Sequence, residues 1–167
     1  MNIIVPTKQS RAVKFSDLWR VFIDSWRIKW AMMTPFEGKY PVASSISHCQ
    51  IEHDDPLRFF VLGNSWHVFE GKPAKLKKFF GFGWPRTIIN PVIVSTGNKK
   101  VKSKEACMSF PSDQIRKVQR HEIVEAEYWT IFGKRRKKFY LYRASLIQHE
   151  LDHMEAITTD DLWRHRV

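Results

Sequence analysis

Apolar side chains near the start of the chain recur at intervals of three and four residues. Over residues 17–33 this spacing places them on one face, so the pattern predicts an amphipathic helix with one buried stripe. Thr34-Pro35 marks its end, because the residue before a proline avoids helical backbone angles. A second helix is predicted over residues 141–155. The predicted buried stripe of the first helix consists of Leu18, Val21, Phe22, Trp26 and Trp30.

Short apolar runs between the two helices predict strands. Pro91 interrupts the last of these runs, which indicates a sheet edge or a bulge. Residues 72–86 are basic and contain glycine, so they are interpreted as a surface loop. The predicted strands cover residues 59–62, 66–69 and 88–94.

The last strands before the second helix form a predicted hairpin. Residues 118–131 alternate between apolar and polar side chains, Gly133-Lys134 provides a turn, and residues 137–140 return. Strands enclosed by two helices predict an α+β fold. The length of 167 residues and the lack of a low-complexity linker predict a single domain over residues 1–167.

Composition predicts a folded, basic protein of the cytoplasm. Hydrophobic residues make up 43% of the chain, and the net charge is +11, which predicts either an anionic partner or only a soluble surface. The start MNIIVPTKQSR is not a secretory signal, and no apolar run approaches the ~20 residues that cross a bilayer. Cys49 and Cys107 are too few for a disulfide scaffold, so free thiols are expected. The basic stretches are residues 72–78, 99–104, 116–120 and 134–138.

The segment His149-Glu150-Leu151-Asp152-His153 has the pattern HExxH. Residues four apart share a face of a helix, so His149 and His153 can bind one metal ion together. Glu150 would stand beside that ion and move protons for a water molecule. The alternative is two ordinary histidines near the end of a helix.

A catalytic site of this kind needs a third ligand. Few residues follow His153, and His165 lies next to the terminus, so the ligand is expected from upstream. Cys107 is the best candidate, because two imidazoles and a thiolate leave a fourth position open. The alternative for Cys107 alone is a small buried hydrophobe.

At this point the motifs resemble those of the peptide deformylases. The sequences EACMS (residues 105–109) and QHELDH (residues 148–153) resemble the second and third family motifs, Glu-Gly-Cys-Leu-Ser and Gln-His-Glu-x-Asp-His. Asn90-Pro91 and Val118-Gln119-Arg120 also have family counterparts. The first family motif, Gly-x-Gly-Leu-Ala-Ala-x-Gln, is replaced by Ala-Ser-Ser-Ile-Ser-His-Cys-Gln over residues 43–50, where only the final Gln matches.

The resemblance implies a fold of antiparallel strands around a central metal-binding helix that carries HExxH. It also implies a metal-dependent hydrolase that removes the N-formyl group from N-formylmethionine of nascent peptides and releases formate. The ion would be one divalent metal, Fe²⁺ in the cell, with Zn²⁺, Ni²⁺ or Co²⁺ in preparations. Glu150 would transfer the proton, and the Gln50 side chain and the Met108 N–H would stabilise the oxyanion. The implied metal ligands are Cys107, His149 and His153.

Further residues complete the implied site. Asp152 is expected to pair with Arg120 behind the metal ligands. His48 and Cys49 are alternative ligands or bystanders. The expected substrate-binding residues are Ser45, Glu105, Ala106, Tyr142 and Ser145.

The family also implies a cellular setting. The protein is expected to be a monomer without membrane contact that meets nascent chains at the ribosome through its basic surface. The short segment after His153 resembles phage-encoded members, for which the setting is the host cytoplasm. Two other functions remain open: an HExxH peptidase that needs no cysteine ligand, and a catalytically weakened deformylase-like protein that binds RNA or the ribosome.

Overall fold

The protein forms seven strands and three α-helices in its described residues, which are 3–32, 45–51, 54–63, 86–110 and 115–164 of a computed structural model. The strand predicted over residues 66–69, most of the loop predicted over residues 72–86, and His165 lie outside them. The elements are α1 Leu18–Ala31, β1 Ser45–Ser47, β2 Phe59–Leu62, β3 Arg86–Thr96, β4 Lys100–Glu105, β5 Arg116–His121, β6 Ile123–Thr130, β7 Gly133–Tyr140, α2 Tyr142–Met154 and α3 Thr159–Arg164.

The strands form two antiparallel sheets. Five of them have the order β1-β2-β3-β6-β7, and β4 pairs with β5 in a separate two-stranded sheet. This architecture confirms the predicted α+β class, and β6 and β7 form the predicted hairpin. The prediction of one strand over residues 118–131 is wrong, because the strand is interrupted by a bend at Glu122. The part before the bend, β5, pairs in the other sheet.

The central strand β3 contains the irregularity that Pro91 indicated. Its pairing with β6 shifts register between Ile89 and Val92, and Asn90 has a φ of 48°. The Asn90 side chain supports this conformation, because its Oδ1 accepts from the Val13 N–H at 2.8 Å and its Nδ2 donates to the Val13 carbonyl at 3.0 Å. Pro91 marks a bulge inside β3, at the point where the pairing of β3 with β2 ends.

Buried side chains lie on both faces of the large sheet. On one face α2 covers a cluster that includes Phe60 and Leu62, and on the other α1 covers a cluster that includes Phe59 and Val61. All four β2 residues are buried, because successive side chains of a strand point to opposite faces.

The buried face of α1 differs from the predicted stripe. Leu18, Phe22 and Trp30 are 44%, 48% and 69% exposed, whereas the polar Asp24 and Ser25 are buried. The prediction was wrong because hydrogen bonds compensate the burial of both polar residues. Asp24 Oδ2 lies 3.1 Å from His48 Nε2, and Ser25 Oγ accepts from Thr87 at 2.8 Å. Val21 and Ile28 are the apolar members of the observed buried face.

Helix α2 confirms the second predicted helix and packs against both sheets. Its Gln148 side chain pairs with the backbone of the last β5 residue: Oε1 accepts from the His121 N–H and Nε2 donates to the His121 carbonyl, both at 3.0 Å. This contact fixes the turn of α2 that carries the HExxH segment. None of the helices in the described ranges is long and apolar enough to cross a membrane.

Candidate active site

Three buried side chains bring their metal-binding atoms together between the two sheets. Cys107, in the turn after β4, places Sγ 3.1 Å from His153 Nε2, which is 3.0 Å from His149 Nε2. These atoms all lie within 4.8 Å of one another. Two imidazoles and one thiolate suit Zn²⁺ and Fe²⁺, and three protein ligands are the number that catalytic sites of this kind use. The donor set therefore fits the implied metal.

A network of charges orients the first histidine. His149 Nδ1 lies 2.9 Å from Glu105 Oε2, and Arg120 donates to both carboxylate oxygens of Glu105 at 2.8 Å. Arg120 also pairs with Asp152, as the resemblance implied. Because Nδ1 of His149 is held by Glu105, its Nε2 faces Cys107 and His153.

The network also shifts the pKa values of its members. Burial alone would raise the pKa of Glu105, but the hydrogen bonds from Arg120 and His149 lower it to about 2. Burial alone would lower the pKa of His149, but its hydrogen bonds with Cys107 and Glu105 raise it to about 10. The pKa of His153 falls because of burial and the neighbouring charge of His149. The cluster thus stabilises positive charge, which a proton or a metal cation can supply.

The buried Glu150 carboxylate lies beside this cluster on α2. Ser45 Oγ donates to Glu150 Oε1 and Ser47 Oγ donates to Glu150 Oε2, both at 2.5 Å. The sequence analysis assigned Ser45 to substrate and missed Ser47. The signal was available, because a serine stands at position 47 where the first family motif has alanine.

The Gln50 amide lies next to the Cys107 sulfur. Its Nε2 is 3.1 Å from Ser109 Oγ and 3.5 Å from Cys107 Sγ, and its Oε1 accepts from the Ser47 N–H at 2.8 Å. Gln50 therefore caps a turn and also directs a donor toward the metal cluster. Sequence reasoning did not find Ser109. Its backbone N lies 3.4 Å from Cys107 Sγ.

The backbone around Cys107 leaves the Met108 N–H available. The Ser109 N–H points to Cys107 Sγ and the Phe110 N–H donates to the Cys107 carbonyl. The N–H of Met108, which lies between Cys107 and Ser109, donates to no acceptor in the described part of the chain. This is the N–H that the resemblance implied for an oxyanion.

The other expected substrate-binding residues lie close to the ligands along the chain. Ala106 is exposed next to Cys107, and Ser145 is buried one turn before His149 on α2. Tyr142 is 37% exposed at the start of that helix. The Glu105 carboxylate is occupied by Arg120 and His149, so any contact of Glu105 with substrate would come from its backbone.

His48 and Cys49 do not belong to the group of metal-binding atoms found in the described residues. His48 Nδ1 accepts from the Leu57 N–H at 2.9 Å while its Nε2 faces Asp24. Cys49 Sγ donates to the His153 carbonyl at 3.2 Å, and burial raises the pKa of this thiol to about 12. Cys49 therefore contacts the backbone of a ligand residue, and His48 links α1 to the segment before β2.

The fold and the site together define a class of domains in which an HExxH helix and a cysteine supply the ligands of one metal ion. Comparison with known proteins identifies the family. The family model described as polypeptide deformylase matches residues 39–166. The chain belongs to the polypeptide deformylase family.

Curated relatives and solved structures agree with this assignment. The peptide deformylase of Rickettsia prowazekii is 37% identical over 90 residues, which are 53% of this chain and 49% of that protein. The peptide deformylase of Pseudothermotoga lettingae is 33% identical over 81 residues, or 48% of this chain and 47% of that protein. The chain thus spans about half the length of the curated relatives it matches.

The fold agrees over nearly the whole chain. The crystal structure of the Thermotoga maritima peptide deformylase matches with a TM-score of 0.70 at 21% identity, covering 96% of this chain and 95% of that one. A probable peptide deformylase from synechococcus phage S-SSM7 matches with a TM-score of 0.69 at 20% identity, covering 97% and 99%.

Proposed function

We propose that this chain is a metal-dependent hydrolase that removes the N-formyl group from the N-terminal formylmethionine of nascent peptides and releases formate. The observation that carries the proposal is the convergence of three ligand atoms, two of them on the helix that also carries Glu150, in a chain of the polypeptide deformylase family. We assign Cys107, His149 and His153 as the ligands of one divalent ion, Fe²⁺ in the cell, which Zn²⁺, Ni²⁺ or Co²⁺ replaces in preparations. When bound, such an ion lowers the pKa of a water molecule so that hydroxide is available near neutral pH.

In this mechanism Glu150 is the proton carrier. Hydroxide adds to the formyl carbon, the C–N bond breaks, and formate leaves. The Glu150 carboxylate takes the proton of the attacking water and delivers it to the departing amine nitrogen, so that a free α-amine results. The support for this role is its buried position on the same helix as both histidines.

Two donors would stabilise the developing oxyanion. The Met108 N–H has no acceptor in the described part of the chain, and the Gln50 Nε2 lies beside Cys107. A small rotation of the Gln50 amide away from the sulfur would direct its N–H to the carbonyl oxygen. Loss of one such donor typically lowers the rate ~10²–10³-fold.

The substrate would lie between β1 and the start of α2. We assign Ala106 and the backbones of Ser45 and Glu105 to the peptide, and Tyr142 and Ser145 to the methionine side chain. The support is that Ser45 lies in β1 next to Glu150, Tyr142 and Ser145 precede Glu150 on α2, and Glu105 and Ala106 immediately precede Cys107. In this proposal residues 1–167 form one domain that acts as a monomer in the cytoplasm, which is the host cytoplasm for a phage protein.

The basic surface supports a contact with the ribosome as a second property. The net charge is +11, although part of β7 is paired: Lys134 Nζ lies 2.7 Å from Glu127, and Arg136 contacts Glu125 at 3.1 Å. Affinity for RNA that survives metal removal and falls steeply with salt would support this contact. An HExxH peptidase is not favoured, because the residues matched by the family model include all three proposed ligands.

A formate-release assay tests the hydrolase proposal. Cobalt- or iron-loaded protein is given formyl-Met-Ala-Ser, and wild type is compared with Glu150→Gln and with Glu155→Gln, a control at the end of the same helix. We expect release by wild type and the control, and a fall of ~10²–10⁴-fold for Glu150→Gln at equal metal content. No formate from fully loaded wild type would refute the proposal.

A further inference from the structure

Two serines of one short strand hold the two oxygens of Glu150 separately. Ser45 and Ser47 are two positions apart in β1, so their side chains point to the same face of the sheet, toward α2. Each hydroxyl lies 2.5 Å from a different carboxylate oxygen of Glu150. Ser47 Oγ also lies 3.3 Å from the Glu150 backbone carbonyl.

The strand that carries the hydroxyls is itself fixed. β1 pairs antiparallel with β2, with Ser45 opposite Leu62 and Ser47 opposite Phe60. Ile46, between the two serines, points the other way into the buried cluster beneath α1. The two hydroxyls are therefore anchored by both the sheet and the core.

These serines distinguish this chain from the family motif described above. That motif has glycine at position 45 and alanine at position 47, and neither side chain can donate a hydrogen bond. A buried hydroxyl without a partner is unfavourable, so a serine as deeply buried as Ser47 needs an acceptor. Glu150 is that acceptor.

We propose that Ser45 and Ser47 form a clamp that positions the Glu150 carboxylate for proton transfer. Glutamate has several rotatable bonds, and two donors on two oxygens restrict them to one orientation. Each ionised carboxylate oxygen has about two acceptor sites, so the clamp leaves one on each oxygen for the reacting proton. The serines thus act through Glu150 as positioning residues, and this inference rests on the proposed function.

Single and double alanine variants of the two serines test the clamp. A misplacement of about 1 Å can cost ~10²-fold in rate, so we expect kcat of Ser45→Ala/Ser47→Ala to fall ~10–10²-fold while KM changes less than about twofold. Ser45→Thr keeps a hydroxyl and should retain most of kcat. Ser25→Ala is the matched control, because it removes a buried hydroxyl that bonds Thr87 away from Glu150.

Two further measurements separate positioning from a general structural effect. Cobalt content and the visible spectrum of the cobalt protein should be the same in the double variant and wild type. Crystal structures should show one Glu150 side-chain conformation in wild type and several in the double variant. An unchanged kcat, or a fall that accompanies loss of cobalt or equals that of Ser25→Ala, would overturn the clamp.

Failure of the clamp proposal can be distinguished from failure of the proposed function. If wild type releases no formate, that function is lost, and the crystal structures alone decide the clamp. A single unchanged Glu150 conformation in Ser45→Ala/Ser47→Ala would then overturn it.

Discussion

Replacement of Arg120 by methionine should strongly destabilise the metal-free protein. Arg120 is buried and is the only side chain that donates to both oxygens of Glu105 among the described residues. The fall of the Glu105 pKa from 4.5 to about 2, at about 1.4 kcal/mol for each pKa unit, corresponds to roughly 3 kcal/mol, part of which comes from His149. Removal of one partner of a buried ion pair typically costs ~3–5 kcal/mol. We therefore expect Arg120→Met to lower the free energy of unfolding by about 3 kcal/mol.

The pH dependence of this loss follows from the direction of the shift. Because the folded pKa of Glu105 lies below its ordinary value, its stabilisation is present above about pH 4.5 and is lost as the pH falls toward 2. The difference between wild type and Arg120→Met should shrink over that window. The free energies of unfolding of wild type and Arg120→Met are measured by urea unfolding, with tryptophan fluorescence as the signal.

The ion pair of Arg58 with Glu155 provides the control. Both side chains are partly exposed, so Arg58→Met should cost ~0–1 kcal/mol. An Arg120→Met variant that loses no more stability than Arg58→Met, or whose loss is constant from pH 6 to about 3, would refute the argument from burial.

Two other variants test the ligands and the attachment of α2. Cys107→Ala should lose bound cobalt, measured by elemental analysis, while Cys49→Ala keeps it because Cys49 is not among the converging ligand atoms of the described residues. Equal cobalt in both would exclude Cys107 as a ligand. Gln148→Leu leaves the His121 N–H and carbonyl without their partners, so thermal and urea unfolding should show a loss of about 1–3 kcal/mol. Gln119→Leu, at an exposed position of β5, should show almost none.

Local sequence patterns predicted two of the elements that surround the site. Helix α2 and the hairpin of β6 and β7 were found because their patterns have the periods of 3.6 and 2. The two histidine ligands could also be predicted from the sequence, since residues four apart share one face of a helix. Cys107 required the family motif, because a single cysteine is more often a buried hydrophobe.

Other features depend on partners that are distant in sequence. Strand β4 consists largely of alternating lysines with little apolar content, and only its pairing with β5 defines it. The burial of Asp24 in α1 was not predicted, because its partner His48 is supplied by another segment. Ser47 was overlooked for the same reason, since Glu150 is 103 residues away.

The two-sided burial of β2 has a consequence for how the molecule comes apart. Phe59 and Val61 belong to the layer beneath α1, and Phe60 and Leu62 belong to the layer beneath α2. Neither layer can melt without exposing half of this four-residue strand, so unfolding of the N-terminal helix and of the HExxH helix is thermodynamically linked. Equilibrium denaturation should accordingly proceed as one all-or-none transition, because β2 belongs to both buried clusters.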